Sequence, residues 1–296
     1  MKRFIPLLLL CLAAGWSPSA AQSGDFDKVE IKTTKIAGSI WMLEGAGGNI
    51  GVSAGPDGLL IVDDQFAPLA DKIKAALKQI NPGTLAFLVN THFHGDHTGG
   101  NPVFGKEATI IAQDNVRARL SAKQVVRGQT RDPMAKEGWP IITFADGLTV
   151  WFNGEPVEVV HVPHGHTDGD SIIFFKGSNV VHMGDQFFNG TFPYIDVDSG
   201  GSVDGYVKNV AAMIEKIPAG AKIIPGHGPL GTIDDLKRFQ AMLVTTTGIV
   251  RKEIAQGMTL DQAEKTGLPD EWKTWATEFV SVERWVEMIY TGTKKP

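Results

Sequence analysis

Apolar residues in this chain fall into short β-branched runs separated by glycine-bearing polar loops, and into a few longer stretches with helical spacing. Between positions 31 and 65, apolar runs alternate with the turns Gly45-Ala46-Gly47-Gly48 and Gly55-Pro56-Asp57-Gly58, which predicts a strand meander. Positions 68–80 carry apolar side chains at helical spacing, with Pro68 near the start and Asn81-Pro82-Gly83 as the stop. Trp151-Phe152-Asn153-Gly154-Glu155 joins two strand-like runs and predicts an Asn-Gly hairpin. Positions 203–217 and 232–255 read as amphipathic helices, and the Trp- and Glu-rich tail after Gly257 as terminal helices. Strands and helices thus come in two blocks, each β-rich first and helical last. With no repeat, low-complexity tract or long linker, the pattern predicts one α/β sandwich over residues 22–296, sheets inside and helices outside.

Four of the apolar runs end alike. The run 85–89 leads into Asn90-Thr91-His92-Phe93-His94-Gly95-Asp96-His97, and 157–162 into Pro163-His164-Gly165-His166-Thr167-Asp168-Gly169-Asp170. The run 179–183 stops at Gly184-Asp185, and 221–224 at Pro225-Gly226-His227-Gly228. Ligand-type residues at i, i+2, i+4 and i+5 cannot share one helical face, so the first motif is a loop leaving a strand. Gly95, Gly99 and Gly100 are expected to let that loop bend tightly around an ion. Imidazole nitrogen and carboxylate oxygen suit zinc and other borderline divalent ions. A solvated His-rich loop would account for one such motif, but not for four at strand ends.

Composition narrows the setting. The chain has 296 residues, 43% of them hydrophobic, enough for a substantial core. Met1-Lys2-Arg3, the short apolar stretch 4–16 and the small residues 17–21 read as a secretory signal peptide cut after Ala20 or Ala21. The apolar run falls short of the roughly 20 residues a membrane anchor needs. An exported protein, periplasmic or secreted and with no membrane partner after cleavage, is the expectation. Cleavage would remove the single cysteine, Cys11, leaving neither disulfide nor thiolate ligand. Without Lys2 and Arg3, 26 basic residues face 33 acidic ones, a formal charge of −7 that argues against a nucleic-acid partner. Nothing in the sequence sets the oligomeric state.

His92-Phe93-His94-Gly95-Asp96-His97, Gly165-His166-Thr167, Gly184-Asp185 and Gly226-His227-Gly228 resemble the metallo-β-lactamase superfamily of metallohydrolases. The order and separations match too: His166 follows His97 by 69 positions, Asp185 comes 19 later and His227 a further 42 later. The resemblance runs from about residue 29 to about residue 243 and implies a four-layer αββα sandwich, an α/β fold. It further implies that His92, His94 and His166 hold one metal ion, that Asp96, His97 and His227 hold a second, and that Asp185 bridges them. Asp96 and Asp185 are the implied catalytic carboxylates. The physical logic agrees. His92 and His94 alternate on extended backbone and can face one ion; Asp96 and His97 follow a glycine, where the chain can turn to another; a two-oxygen carboxylate can bridge. Two ions about 3.5–4 Å apart share a water and lower its pKa, giving hydroxide as nucleophile.

The implied enzyme is a dinuclear zinc hydrolase acting on a small-molecule carbonyl substrate, opening a C–N or C–O bond in a β-lactam, lactone, ester or thioester. Asp185 stands where two lactamase subclasses carry Cys and the third typically Ser, which leans toward lactonases and glyoxalase II-like thioesterases. The tail is short for the extra substrate domain of the latter. Two other classes stay open: a mononuclear iron oxygenase of the sulfur dioxygenase type, and a non-catalytic metal-binding accessory protein.

Other residues compete for roles. His164, two positions from His166, is the rival ligand, with the Gly-His-Thr setting favouring His166. His161 and His182 lie in apolar strands and read as satisfied core or supporting groups. Asp168 and Asp170 could accept from imidazole N–H groups or simply form turns. Asp63-Asp64 ends the apolar run 59–62 and could buttress the cleft, with a solvated turn as the default reading. Tyr194, in the loop 186–202, either faces an oxyanion or packs the loop; that loop and 117–139 are the expected pocket walls.

Overall fold

The computed structural model describes residues 26–126 and 129–294; the expected signal peptide, 1–21, lies outside them. A first sheet begins with the meander β1 (Lys32–Ala37), β2 (Ile40–Glu44), β3 (Ile50–Gly55) and β4 (Gly58–Val62), each antiparallel to the next. It continues in parallel through β5 (Leu85–Val89), β6 (Thr109–Gln113) and, after the short ribbon β7 (Gln124–Val126) and β8 (Gln129–Arg131), through β9 (Ile142–Phe144). The second sheet has β10 (Gly147–Phe152), β11 (Glu155–His161), β12 (Ser171–Phe175) and β13 (Val180–His182) in antiparallel succession. β14 (Lys222–Ile224) then pairs in parallel with β13. The expected hairpin joins β10 and β11, with Asn153 and Gly154 at φ +51° and +80°, the left-handed pair that Asn-Gly provides.

The central strands β4, β12 and β13 are covered on both faces, which explains their unbroken runs of buried residues where one-sided strands would alternate. In β4, Leu60 and Val62 face the second sheet, packing in one cluster with Val157, Val159, Ile173 and Phe175. Leu59 and Ile61 point the other way, onto α1 (Ala70–Ile80), whose Ile73 and Leu77 are buried against them. Each such aliphatic side chain contributes about 1.5–3 kcal/mol by leaving water, so Ile73→Asp would strip α1 from the sheet. In β12, Ile172 and Phe174 turn from the intersheet core toward the helices on the far side.

Five short helices and three longer ones complete the described residues. α2 (Gly95–Thr98) and α3 (Asn101–Phe104) are single turns after β5, and α4 (Asp114–Leu120) follows β6. α5 (Val203–Lys216) and α6 (Ile233–Ala255) cover the second sheet. Ser202 caps α5, and Thr232 with Asp235 forms a capping box on α6, fixing both starts within a residue of the expected positions. The tail forms α7 (Leu260–Thr266), α8 (Asp270–Lys273) and α9 (Val282–Lys294), with Trp285 fully buried against the α5–α6 layer. The result is helix, sheet, sheet, helix. No helix among the described residues is long and apolar enough to cross a membrane.

Candidate metal centre

Parallel pairing of β4 with β5, and of β13 with β14, sends the polar segments after each pair out at one edge. β5 leads directly to His92 and His94. The motif is not a plain loop beyond that point: Asp96 and His97 sit on the single turn α2, with His94 as its extended N-cap. Helical backbone rotates successive residues by about 100°, which swings Asp96 and His97 away from the direction of His94. The glycines act differently from expectation, since none of Gly95, Gly99 and Gly100 has a positive φ. Gly99 and Gly100 are required by close packing: a Cβ on Gly99 would lie 2.5 Å from the Gly95 carbonyl oxygen, and one on Gly100 2.8 Å from Asp64.

All seven expected residues come together, in two groups. His92, His94, His166 and Asp185 form the first; Asp96, His97 and His227 the second. His94 Nδ1 is 3.1 Å from His92 Nε2 and 2.8 Å from His166 Nε2. Asp185 spans the two groups. Its Oδ2 lies 3.3 Å from His166 Nε2 and 3.8 Å from His92 Nε2, while Oδ1 lies 3.1 Å from His97 Nε2 and 3.4 Å from His227 Nε2. Asp96 Oδ2 is 3.3 Å from His227 Nε2 and 3.6 Å from His97 Nε2.

Hydrogen bonds behind four rings decide which nitrogen keeps its lone pair. His166 Nδ1 donates to the Tyr194 carbonyl oxygen at 2.6 Å, leaving Nε2 unprotonated when the ring is neutral. His94 Nε2 donates to Asp196 at 2.9 Å, leaving Nδ1. His97 Nδ1 donates to Asp63 Oδ2 at 2.7 Å, leaving Nε2. The Thr91 hydroxyl gives its proton to that same Asp63 oxygen at 2.7 Å and so accepts, at 3.0 Å, from His92 Nδ1. With all four rings neutral, four lone pairs point inward, three of them within the first group. Neutral nitrogens at such separations repel unless a cation lies among them, and nitrogens around one zinc sit about 3.3 Å apart. Asp185 Oδ1 is buried and accepts no hydrogen bond. The donor set fits two divalent ions.

Asp63 and Asp64 correct the expectation of a solvated turn: both are fully buried, as is Gln65. Asp63 and Gln65 have φ of +65° and +57°, strained values for residues with a Cβ. The strain is held by the bonds from Thr91 and His97 to Asp63 and by a 2.8 Å bond from Gln65 Nε2 to the Gly48 carbonyl oxygen. Thr91 and Asp196 are supporting residues that no motif marks, and Asp63 takes the buttressing role that ranked second to a turn in the sequence.

Electrostatics separate the two groups. Burial, aided by the charge of His97, holds His92 well below the usual imidazole range, and burial brings His166 down to about 4. In the second group burial is outweighed by carboxylates. Asp185 and Asp96 raise His227 to about 9, and with Asp63 they raise His97 well above its ordinary value. Burial opposes ionisation of Asp185 and Asp96, but the surrounding imidazoles hold both well below the carboxylate range. Asp196 is likewise pulled, against burial, to about 2 by its bond from His94. Without metal, the second group carries the protons that an ion would replace.

The rival residues fall elsewhere. His164 is exposed at φ +51°, its Nδ1 3.3 Å from the Gly200 carbonyl oxygen, outside both groups. His182 is a satisfied core histidine, bonded to the Asn49 carbonyl oxygen and the Gly184 N–H. His161 Nδ1 donates to the Asp170 carbonyl oxygen. Asp168 accepts from Arg119 through both oxygens rather than from an imidazole. The Asp170 carboxyl, pushed by burial up to about 7, accepts from Thr167 and from Gln186 Nε2, tying the His166 loop to the Asp185 turn. Tyr194 joins the site through its carbonyl and its ring, which lies 6.0 Å from His166 and 6.1 Å from His94.

The αββα layers with a buried His/Asp cluster at one sheet edge define a metallohydrolase-type scaffold. Residues 37–227 match the profile of the Metallo-beta-lactamase superfamily, and the chain belongs to that superfamily. It is 27% identical over 180 residues to the acyl-coenzyme A thioesterase MBLAC2 of Bos taurus, covering 55% of this chain and 63% of that protein. It is 33% identical over 106 residues to a hydroxyacylglutathione hydrolase of Synechococcus sp., 36% of either chain. The chain thus matches under two thirds of each relative's length. A metallo-beta-lactamase from Pontibacter korlensis superposes with a TM-score of 0.61 at 16% identity, over 72% of this chain and 99% of that one, a likeness of fold.

Proposed function

We propose that this protein is a dinuclear zinc hydrolase, exported to the periplasm or beyond, that opens a C–O, C–S or C–N bond at the carbonyl of an ester, lactone, thioester or β-lactam. The observation that carries the reading is Asp185, whose two oxygens face two different groups of imidazoles. His92, His94 and His166 would hold one ion, Asp96, His97 and His227 the other, with Asp185 between them. Bound there, the ions would supply a water of lowered pKa and positive charge for a developing oxyanion. The residues do the rest. Asp63, Thr91 and Asp196 keep the ring nitrogens oriented. Asp96, about a third of its side chain exposed, is the carboxylate at the open face and can accept a hydrogen bond from the attacking water. In the overall reaction the acyl–heteroatom bond breaks, a C–OH bond forms, and the leaving group takes the proton. The export proposal rests on the N-terminal pattern.

The test is turnover by zinc-loaded protein of a panel holding one ester, one lactone, one thioester and one β-lactam, with Asp185→Asn as the comparison. Hydrolysis of at least one class, lost in Asp185→Asn, is expected. A fully loaded protein inert toward every class would refute the reading.

A further inference from the structure

One side of the metal centre is aromatic, and the aromatic surface extends beyond the part of the chain that matches the superfamily. Phe188 stacks on His227 at 5.0 Å and 18°. Tyr194 flanks His94 and His166, and Phe279 lies 5.8 Å from Tyr194. Phe279 is 40% exposed, so this surface reaches solvent. The Arg284 guanidinium covers both rings, 5.3 Å from Tyr194 and 4.7 Å from Phe279, and also donates to the Phe279 carbonyl oxygen. The superfamily match ends at residue 227, and Phe279 and Arg284 lie in the C-terminal segment beyond it.

That segment is fastened to the loop it faces. The Phe192 N–H donates to the Trp275 carbonyl oxygen at 2.9 Å, and the Phe192 ring stacks on Trp285 at 5.7 Å. The same loop carries Tyr194 and Asp196, which orient two of the inward imidazoles. A wall anchored in this way is preformed, and an apolar surface beside a reacting carbonyl favours apolar substituents through the water they release.

We infer that the C-terminal segment forms the acyl-side wall of the substrate pocket, and that the substrate carries an alkyl chain or aromatic ring next to the carbonyl that is cleaved. This inference rests on the hydrolase reading. The test pairs two measurements on the zinc-loaded full chain: kcat/KM for acetyl, octanoyl and phenylacetyl thioesters of one thiol, and calorimetric binding of acetate, octanoate and phenylacetate. Octanoyl and phenylacetyl are expected to exceed acetyl by about tenfold or more, with the carboxylates ranking alike. Phe279→Ala should reduce both preferences below about threefold while keeping its metal, and Phe279→Leu should restore most of the octanoyl preference. A Phe279→Ala protein with undiminished preferences, or a parent protein that binds the three carboxylates equally, would overturn the wall. A Phe279-dependent preference among the carboxylates, with no thioester turned over and the wider panel inert, would leave the wall standing and remove the hydrolase reading instead.

Discussion

Asp63 Oδ2 lies 2.7 Å from His97 Nδ1, and neither side chain is exposed to solvent. The same oxygen accepts from Thr91, whose hydroxyl accepts from His92, so one aspartate orients a ring in each group of ligands. Asp63→Asn keeps the shape and tolerates the positive φ, but turns one acceptor into a donor. Metal affinity should fall by about 10- to 100-fold, with the far-UV spectrum unchanged. Competition with a chromophoric chelator measures this; parent-like affinity would mean that Asp63 serves folding alone.

His166 and His164 give a contrasting pair. His166→Ala removes an inward lone pair beside His94 and should cost about 100-fold or more in activity, together with one bound ion. His164→Ala removes only an exposed ring and should keep both ions. The reverse pattern in parallel assays and metal counts would exchange their roles.

Proton linkage sets a pH dependence. His227 has its pKa raised to about 9 in the metal-free protein, so below that pH the ring carries a proton that an incoming ion must expel. Affinity for the second ion should therefore rise with pH up to about 9, by about tenfold per unit for each proton released. The metal-free protein behaves oppositely: the stability this raised pKa contributes is complete below the unfolded value of 6.5 and is lost as pH rises through 9. Chelator competition at several pH values between 6 and 8.5 reads the first effect, and a flat response would contradict it.

Close approach at Gly226 is a steric test of the bridging position. A Cβ there would lie 2.0 Å from Asp185 Oδ1, so Gly226→Ala should displace the carboxylate and lower the metal count. Gly248, inside α6 with open space around its Cα, is the control. Gly248→Ala should leave metal binding intact and stabilise by about 0.5–1 kcal/mol, read by denaturant unfolding. Full metal content in Gly226→Ala would show that Asp185 need not bridge.

The layered architecture was legible because strand-length apolar runs and capped helices each carry a local signature. All seven clustered residues were legible because they sit in dense motifs directly after strands. Asp63 was not, since an apolar run ending in Asp-Asp-Gln looks like a solvated turn until the parallel pairing of β4 with β5 buries it. Asp196 meets His94 across 102 positions of sequence from an irregular loop, and no periodic signal marks such a contact. Phe279 was hidden for the same reason: its partner Tyr194 lies in that loop, and only the docking of the C-terminal segment brings them together.

The central claim is a two-ion centre spanned by Asp185, and its most direct test is the metal content of protein purified without added ions or chelator. Close to two zinc ions per chain are expected, falling toward one in Asp185→Ala. One iron per chain, or a stoichiometry indifferent to Asp185, would contradict it.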